Sequence, residues 1–151
     1  MKLVKLGVAF ALLCAVAIHA EDKKPEAKPE AKADTKAVKV DEKLKEAVDG
    51  WKKAVASGDL DKVMGFYSDN FKHFEYGDKK GMRDFLNQAK EAHYLDGIEV
   101  DTAKSEFKLD GDKATVYPID LKGSFGAITM ELKFLKEKTD WLIVGSDASG
   151  I

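Results

Sequence analysis

Cysteine is almost absent from this chain of 151 residues, whose single example, Cys14, lies inside an apolar N-terminal run. Disulfide bonds, catalytic thiols and cysteine-ligated zinc all require cysteine in the folded part of a protein. Beyond residue 14 the sequence therefore excludes these three kinds of chemistry. Because the bulky Leu13 precedes Cys14, we expect no lipid attachment there.

Clustered positive charge is also missing. The chain has one arginine, Arg83, and residues 40–151 hold 17 basic and 22 acidic residues, a formal charge of −5. A phosphate backbone is bound by clustered cations, so nucleic acid is not an expected partner. Glycine-rich phosphate loops and the Gly-x-Ser-x-Gly and His-Glu-x-x-His motifs are absent too, and we predict no cofactor.

Long apolar runs are missing except at the N-terminus. Residues 1–20 start with two lysines, continue as an apolar run from Leu6 to Ile18 and end in small residues, which is the layout of a secretory signal peptide. We expect cleavage near Ala20, with Ala17 as the alternative, and export to the periplasm or out of the cell. The run is short for a membrane span, so we expect no membrane contact after cleavage; an uncleaved anchor is the alternative.

Aromatic residues are missing from residues 21–39, which contain Val38 as their one branched apolar residue and a tandem Lys-Pro-Glu-Ala repeat at 24–31. Such a segment buries too little apolar surface to offset the entropy of ordering it. We predict a disordered Lys/Glu/Pro/Ala-rich linker that is either a solvated leader or a spacer touching an envelope polymer. The folded domain is predicted to span residues 40–151.

Helical periodicity begins at residue 40. Apolar residues recur three or four positions apart as far as Val55, with Asp41 placed to cap the helix and Gly58 to end it. Asp59 is placed to cap a second, short helix. Residues 71–76 alternate aromatic and polar side chains, which predicts a short strand. A third helix is expected to open near Gly81 and to end near His93.

Strand periodicity fills the second half of the chain. Residues 98–109 alternate with a phase break at 103–105, which indicates a bulge, and Asp110-Gly111 predicts a hairpin turn. The next strand is predicted to present one face made of Thr115, Tyr117, Ile119 and Leu121. The strand after it presents an apolar face made of Ile128, Met130, Leu132 and Phe134. Helices followed by antiparallel strands predict an α+β fold with a curved sheet wrapped around three N-terminal helices.

Five blocks of the chain, in this order and spacing, resemble one family. They are the helix end WKKAVASGDL at 51–60, FYSDNF at 66–71, a helix opened by Gly81, the hairpin GDKATV at 111–116 and the strand DWLIV at 140–144. The chain resembles the nuclear transport factor 2-like superfamily, which includes SnoaL-like polyketide cyclases, steroid isomerases and exported domains of unknown function. The resemblance implies a cone-shaped, cystatin-like α+β barrel with a pocket between sheet and helices, often in a homodimer. It does not imply one chemistry, because function depends on the pocket.

The isomerase branch can be tested position by position. Its proton-transferring carboxylate lies eight residues past the tyrosine of the FYSDN-type block, which here is Glu75. Its helix tyrosine, seven residues before the Gly-Asp pair, is replaced by Trp51. Its third acid matches Met130; a slip of one residue would place Glu131 there but would turn the apolar face of that strand out of the core. From this resemblance we therefore expect the pocket of the isomerase branch in this chain, but not its activity.

Two sets of site residues remain as candidates. His73 and Glu75, two apart on the predicted strand, are expected to share a face, either as an acid–base pair or as part of a polar surface. They provide too few ligands for a metal, since His93 is the only other histidine beyond residue 20 and is expected to meet the last helix carbonyls. The second set is predicted to line an apolar pocket and consists of Trp51, Tyr67, Phe85, Tyr117, Met130 and Phe134.

Three functions follow as hypotheses. The leading one is an exported domain that binds a small apolar or amphipathic molecule, or a partner, without a recognisable catalytic set. The second is a SnoaL-like or isomerase-like enzyme that uses Glu75 with His73 for proton transfer. The third is a dimerising interaction module that uses the outer sheet face around Thr129, Glu131 and Lys133, although that face is polar for a large interface.

Overall fold

The computed structural model describes residues 40–149; the predicted signal peptide and linker lie outside the described residues. The helices within this range are α1 (Glu42–Ser57), α2 (Leu60–Gly65) and α3 (Lys79–Glu91). The strands are β1 (Lys72–His73), β2 (Gly77–Asp78), β3 (Glu99–Asp101), β4 (Glu106–Asp110), β5 (Lys113–Gly123), β6 (Gly126–Glu137) and β7 (Asp140–Ser149).

The predicted caps set the bounds of the first two helices. The Asp41 side chain accepts the backbone N–H of Lys43 at the start of α1, and the Asp59 side chain accepts that of Lys62 at the start of α2. Gly58 ends α1 in the left-handed conformation at φ 65°, which glycine adopts without a Cβ penalty. Local sequence signals therefore give both ends of α1 and the start of α2, whereas α2 ends at Gly65.

The chain between α2 and α3 differs from its prediction. Only Lys72 and His73 of the expected strand at 71–76 are extended, and residues 74–76 turn the chain back into β2. The helix α3 starts two residues before the predicted Gly81, because the Asp78 side chain accepts the backbone N–H groups of Lys80 and Gly81 at 3.0 Å each. This short β1–β2 hairpin lies against the start of α3.

The main sheet is antiparallel, in the order β3-β5-β6-β7, with β4 pairing the same edge of β5 as β3. The predicted phase break is confirmed, since residues 102–105 separate β3 from β4. Tyr67 forms a parallel bridge with Ile143 at the opposite edge. The predicted α+β fold is confirmed, but the sheet is open rather than a closed barrel.

A bulge in β5 overturns the predicted face of that strand. Val116 pairs with Leu132 and Ile119 with Met130, so two residues of β5 lie opposite a single residue of β6. Before the bulge Ala114 and Val116 face the core, and Thr115 and Tyr117 face outwards; after it, the inward residues are Ile119 and Leu121. Tyr117 therefore lies on the outer face, 48% exposed.

The core lies between the inner face of the sheet and the helices. The buried face of α1 packs against β3 and β7, and the predicted apolar face of β6 is confirmed as inward. The largest of the fully buried side chains are Trp51, Phe71, Phe134, Leu44, Ile119, Leu132 and Ile143.

Candidate functional site

The predicted acid–base residues do not share a strand face. The strand β1 ends at His73, and Glu75 lies exposed in the turn that follows. The His73 Nδ1 atom accepts the backbone N–H groups of Glu75 at 3.1 Å and of Tyr76 at 3.3 Å. The imidazole therefore closes the turn, and proton transfer by Glu75 and His73 stays a prediction.

The six predicted pocket residues lie in different environments. Trp51, Tyr67 and Phe134 are brought together in the buried core, and Met130 packs against that core half-buried. Phe85 and Tyr117 are exposed and lie outside it. An apolar pocket lined by all six residues stays a prediction.

Trp51 and Tyr67 place two polar groups, an indole N–H and a phenol hydroxyl, within this apolar core. The indole N–H of Trp51 is buried near the Tyr67 hydroxyl but has no hydrogen-bond partner among the described residues. Burial raises the pKa of Tyr67 to about 12, and the nearby indole opposes this rise. The phenol is therefore neutral at physiological pH, and it is enclosed rather than presented to a ligand.

The sheet register confirms the choice between Met130 and Glu131. Met130 pairs with the inward-facing Ile119, whereas Glu131 lies on the outer face, where its carboxylate is 3.6 Å from Lys133 Nζ. The third acid of the isomerase branch is therefore not matched by an inward carboxylate at this position.

A cleft of about 600 Å³ lies between α1 and α2. Its floor is apolar, and the Phe66 ring lies so close to α1 that a Cβ on Gly50 would be 2.6 Å from it. At Gly65 a Cβ would meet no atom within 4 Å, so that glycine leaves space open. The lining consists of Gly50, Lys53, Ala54, Ser57, Lys62, Gly65 and Phe66.

A smaller cleft of about 340 Å³ lies between α2 and α3. Each of its cations is paired with a carboxylate: Lys79 Nζ lies 2.9 Å from Asp69, Lys80 Nζ lies 3.8 Å from Asp84, and Arg83 pairs with Asp61. The lining consists of Met64, Asp69, Asp78, Lys79, Lys80 and Arg83. Because its cations already face carboxylates, this cleft offers little net charge to a ligand.

The described residues hold no group suited to a metal ion and no helix suited to crossing a membrane. Among residues 40–149, no three His, Cys, Asp or Glu side chains come together in a way that could hold a metal ion. His93 is exposed, and its Nδ1 lies 2.8 Å from Asp96 Oδ2 rather than at the predicted helix carbonyls. None of the helices in this range combines the length and hydropathy needed to cross a membrane.

The sequence interpretation missed the α1–α2 cleft altogether. Apart from Phe66, its lining residues are small or charged, and they look like ordinary helix positions in the sequence. The available signal was a pair of glycines, Gly50 and Gly65, at interior positions of predicted helices where glycine costs stability. Such glycines point to close packing or to open space beside the backbone.

Solved structures provide the comparison of folds. Bd1075 of Bdellovibrio bacteriovorus is 18% identical over 73% of this chain with a TM-score of 0.63, but the chain spans only 41% of its length. An NTF2-like protein of unknown function from Pseudomonas putida KT2440 is 12% identical, covering 73% of this chain and 85% of its own, with a TM-score of 0.63. A cystatin-like protein of unknown function from Nostoc punctiforme is 10% identical, covering 70% and 86%, with a TM-score of 0.58.

In comparisons of sequence, no protein-family model and no curated protein matches the chain. At identities of 10–18%, the structural likeness establishes architecture alone. The helices, the antiparallel sheet and these neighbours together show that the domain has the nuclear transport factor 2-like, cystatin-like fold.

Proposed function

We propose that this protein is an exported binding domain for a small amphipathic molecule with an apolar chain and an anionic head. The observation that carries the proposal is the α1–α2 cleft, which combines an apolar floor with lysines at its rim. Its volume of about 600 Å³ lies within the range of ligand sites in proteins.

The floor of the cleft suits a hydrocarbon chain. The Phe66 ring is half-buried, packs against the core on one side and borders the cleft on the other. Because the Phe66 ring covers Gly50 and Ala54 is buried beneath it, the ring itself forms the floor, and the open space beside Gly65 leaves room for the chain of a ligand. Apolar surface removed from water in this way supplies about 25 cal/mol per Å².

The rim of the cleft favours an anionic head. Lys62 is already paired with Asp59 at 2.8 Å, but none of the ion pairs formed among residues 40–149 involves Lys53. Lys53 is exposed on α1, one turn from Gly50. Its ammonium group can therefore meet a carboxylate or sulfate while its alkyl stem covers part of the ligand chain.

Export is the second part of this proposal. The layout of residues 1–20 supports it, and residues 21–39 would then act as a spacer before the binding domain. A carrier or sensor of amphipathic molecules outside the cytoplasm fits both parts.

The test uses the full-length protein and dodecanoate below its critical micelle concentration, with dodecanol and dodecylammonium as the neutral and cationic comparisons. Titration calorimetry should show the tightest binding for dodecanoate. A ligand that binds only the folded state should also raise the melting temperature with concentration. Tighter binding of dodecylammonium, or no binding of any of the three, would contradict the proposal.

Three variants locate the site. Gly65→Leu fills the open space beside α2 and should weaken dodecanoate binding by about tenfold or more. Lys53→Glu should weaken it as well, whereas Lys45→Glu makes the same charge change on α1 outside the cleft and serves as the matched control. Equal effects of Lys53→Glu and Lys45→Glu would show that overall charge, and not this cleft, controls binding.

A further inference from the structure

Four rings at the β1–β2 turn form a continuous pile, which we call the aromatic stack: Phe74, His73, Tyr76 and Phe85. Successive ring centroids lie 4.8, 4.7 and 4.1 Å apart, and successive planes are tilted by 27°, 17° and 16°. The end rings are open to solvent, since Phe74 is 87% and Phe85 38% exposed. A protein rarely presents a nearly complete phenylalanine ring to water next to other exposed rings unless a partner covers it.

The aromatic stack is held in place by the backbone. His73 Nδ1 accepts hydrogen bonds from two backbone N–H groups. These bonds fix the turn that carries Phe74 and Tyr76. The Tyr76 carbonyl oxygen lies so close to α3 that a Cβ on Gly81 would be 1.9 Å from it, so glycine is required there. The rings are thus ordered before any partner arrives, which lowers the entropy cost of binding.

On the side of α3 that carries Phe85, the exposed residues one and two turns further along the chain are uncharged. Gln88 and Ala92, three and seven residues after Phe85, are both exposed. In a chain with 34% charged residues, an aromatic surface continued by uncharged side chains has the composition of an interface core.

We propose that the aromatic stack binds a neutral saccharide, one pyranose ring lying with its C–H face on the exposed ring of Phe74. The face of an aromatic ring carries partial negative charge and attracts the polarised C–H groups of a sugar. This surface lies outside the α1–α2 cleft and shares no residue with it.

Polar groups next to the rings suit sugar hydroxyls. Because Nδ1 of His73 is an acceptor, the neutral imidazole carries its hydrogen on Nε2, which makes that atom a donor. The exposed Glu75 carboxylate is an acceptor near Tyr76, whose pKa is raised by burial and by this carboxylate. Flat rings bordered by a few planar polar side chains give a sugar both stacking and orientation.

Other occupants fit less well. The formal charge of −5 on residues 40–151 disfavours a nucleic acid, whose bases could also stack. A second copy of the chain would need about 800 Å² from each partner, contributed by 20–30 residues, and the aromatic stack with its α3 neighbours offers far fewer.

The test measures binding of the full-length protein to cellohexaose, chitohexaose and maltohexaose by titration calorimetry, with hexagalacturonate as the charged comparison. We expect at least one neutral hexasaccharide to bind, with Phe74→Ala raising its Kd roughly tenfold or more. Tyr117→Ala removes another exposed ring, on the outer face of β5, and should leave the Kd within about twofold. Circular dichroism of both variants checks that the fold is retained.

Several outcomes would overturn the proposal. The first is no binding of any neutral hexasaccharide up to about 10 mM. The second is equal loss in the Phe74→Ala and Tyr117→Ala variants, which would place the sugar elsewhere. The third is tighter binding of hexagalacturonate than of every neutral hexasaccharide, which would contradict the neutral class.

Discussion

Asp41 and Lys136 join the beginning of the domain to the far end of its sheet. The Oδ2 atom of Asp41 accepts a hydrogen bond from Lys136 Nζ at 3.0 Å, while its Oδ1 atom caps α1. The same ammonium group lies 5.5 Å from the centre of the Trp141 ring. One carboxylate therefore fixes both the start of a helix and its position on β6 and β7.

This relationship predicts acid sensitivity. The hydrogen bond from Lys136 lowers the pKa of Asp41, as does the nearby Trp141 indole, although that N–H does not reach hydrogen-bond geometry. Because the folded pKa is depressed, the stabilisation is complete above the unfolded value of 3.8 and is lost as pH falls through the folded pKa. The free energies of unfolding in urea of Asp41→Asn and of the unmodified protein should therefore converge as pH falls from about 5 to about 2. A constant difference across that range would contradict the role of the carboxylate charge.

Tyr67 predicts sensitivity to alkali. Its pKa is raised by burial to about 12, above the value of about 10 in an unfolded chain, so its contribution is complete below pH 10 and is lost as pH rises towards 12. The free energy of unfolding should therefore fall by roughly 3 kcal/mol as the pH rises from about 10 to about 12. Tyr67→Phe should unfold with a shallower pH dependence than the unmodified protein between pH 9 and 12, measured by urea titration. Parallel curves would show that this phenol does not titrate with unfolding.

Two residues predicted to share a pocket should behave differently. Phe134 is 1% exposed in the core, so Phe134→Ala should cost about 3–5 kcal/mol of stability. Tyr117→Ala, on the outer face, should change stability by only about 0.5 kcal/mol. Chemical denaturation measures both, and a large loss in Tyr117→Ala would show that the outer face is covered.

Two glycines form a matched pair. Gly81→Ala forces the Tyr76 carbonyl away from α3 and should destabilise the protein by about 1–3 kcal/mol. Gly65→Ala places a methyl group in open space within a helix and should stabilise it by roughly 0.5–1 kcal/mol. The two melting temperatures should therefore shift in opposite directions. A fall for both would mean that the space beside Gly65 is not free.

The predicted elements that depend on near neighbours agree with the structure. Residues only a few positions apart determine the caps at Asp41 and Asp59 and the end of α1 at Gly58. The same is true of the inward face of β6. The predicted strand at 71–76 is too long because the His73 ring bonds back to its own chain, a local contact that alternation of residue types does not reveal.

Side-chain orientations and contacts that depend on distant parts of the chain were harder to predict. The bulge at Tyr117 and Pro118 reverses the face on which Thr115 and Tyr117 lie, and it depends on pairing with β6. The aromatic stack joins the β1–β2 turn to α3, and the α1–α2 cleft depends on how Phe66 packs on Gly50. The candidate sites thus lie where elements meet.

From composition and periodicity one could establish an α+β domain after residue 40, both ends of α1, the start of α2, the inward face of β6 and the lack of cysteine beyond residue 14. These properties depend on intrinsic preferences and on contacts a few residues apart. Which aromatic rings are buried, which stack in the open and where a cleft remains became clear only in the folded domain. Those outcomes depend on register and on packing between residues far apart in the chain, which no local pattern encodes.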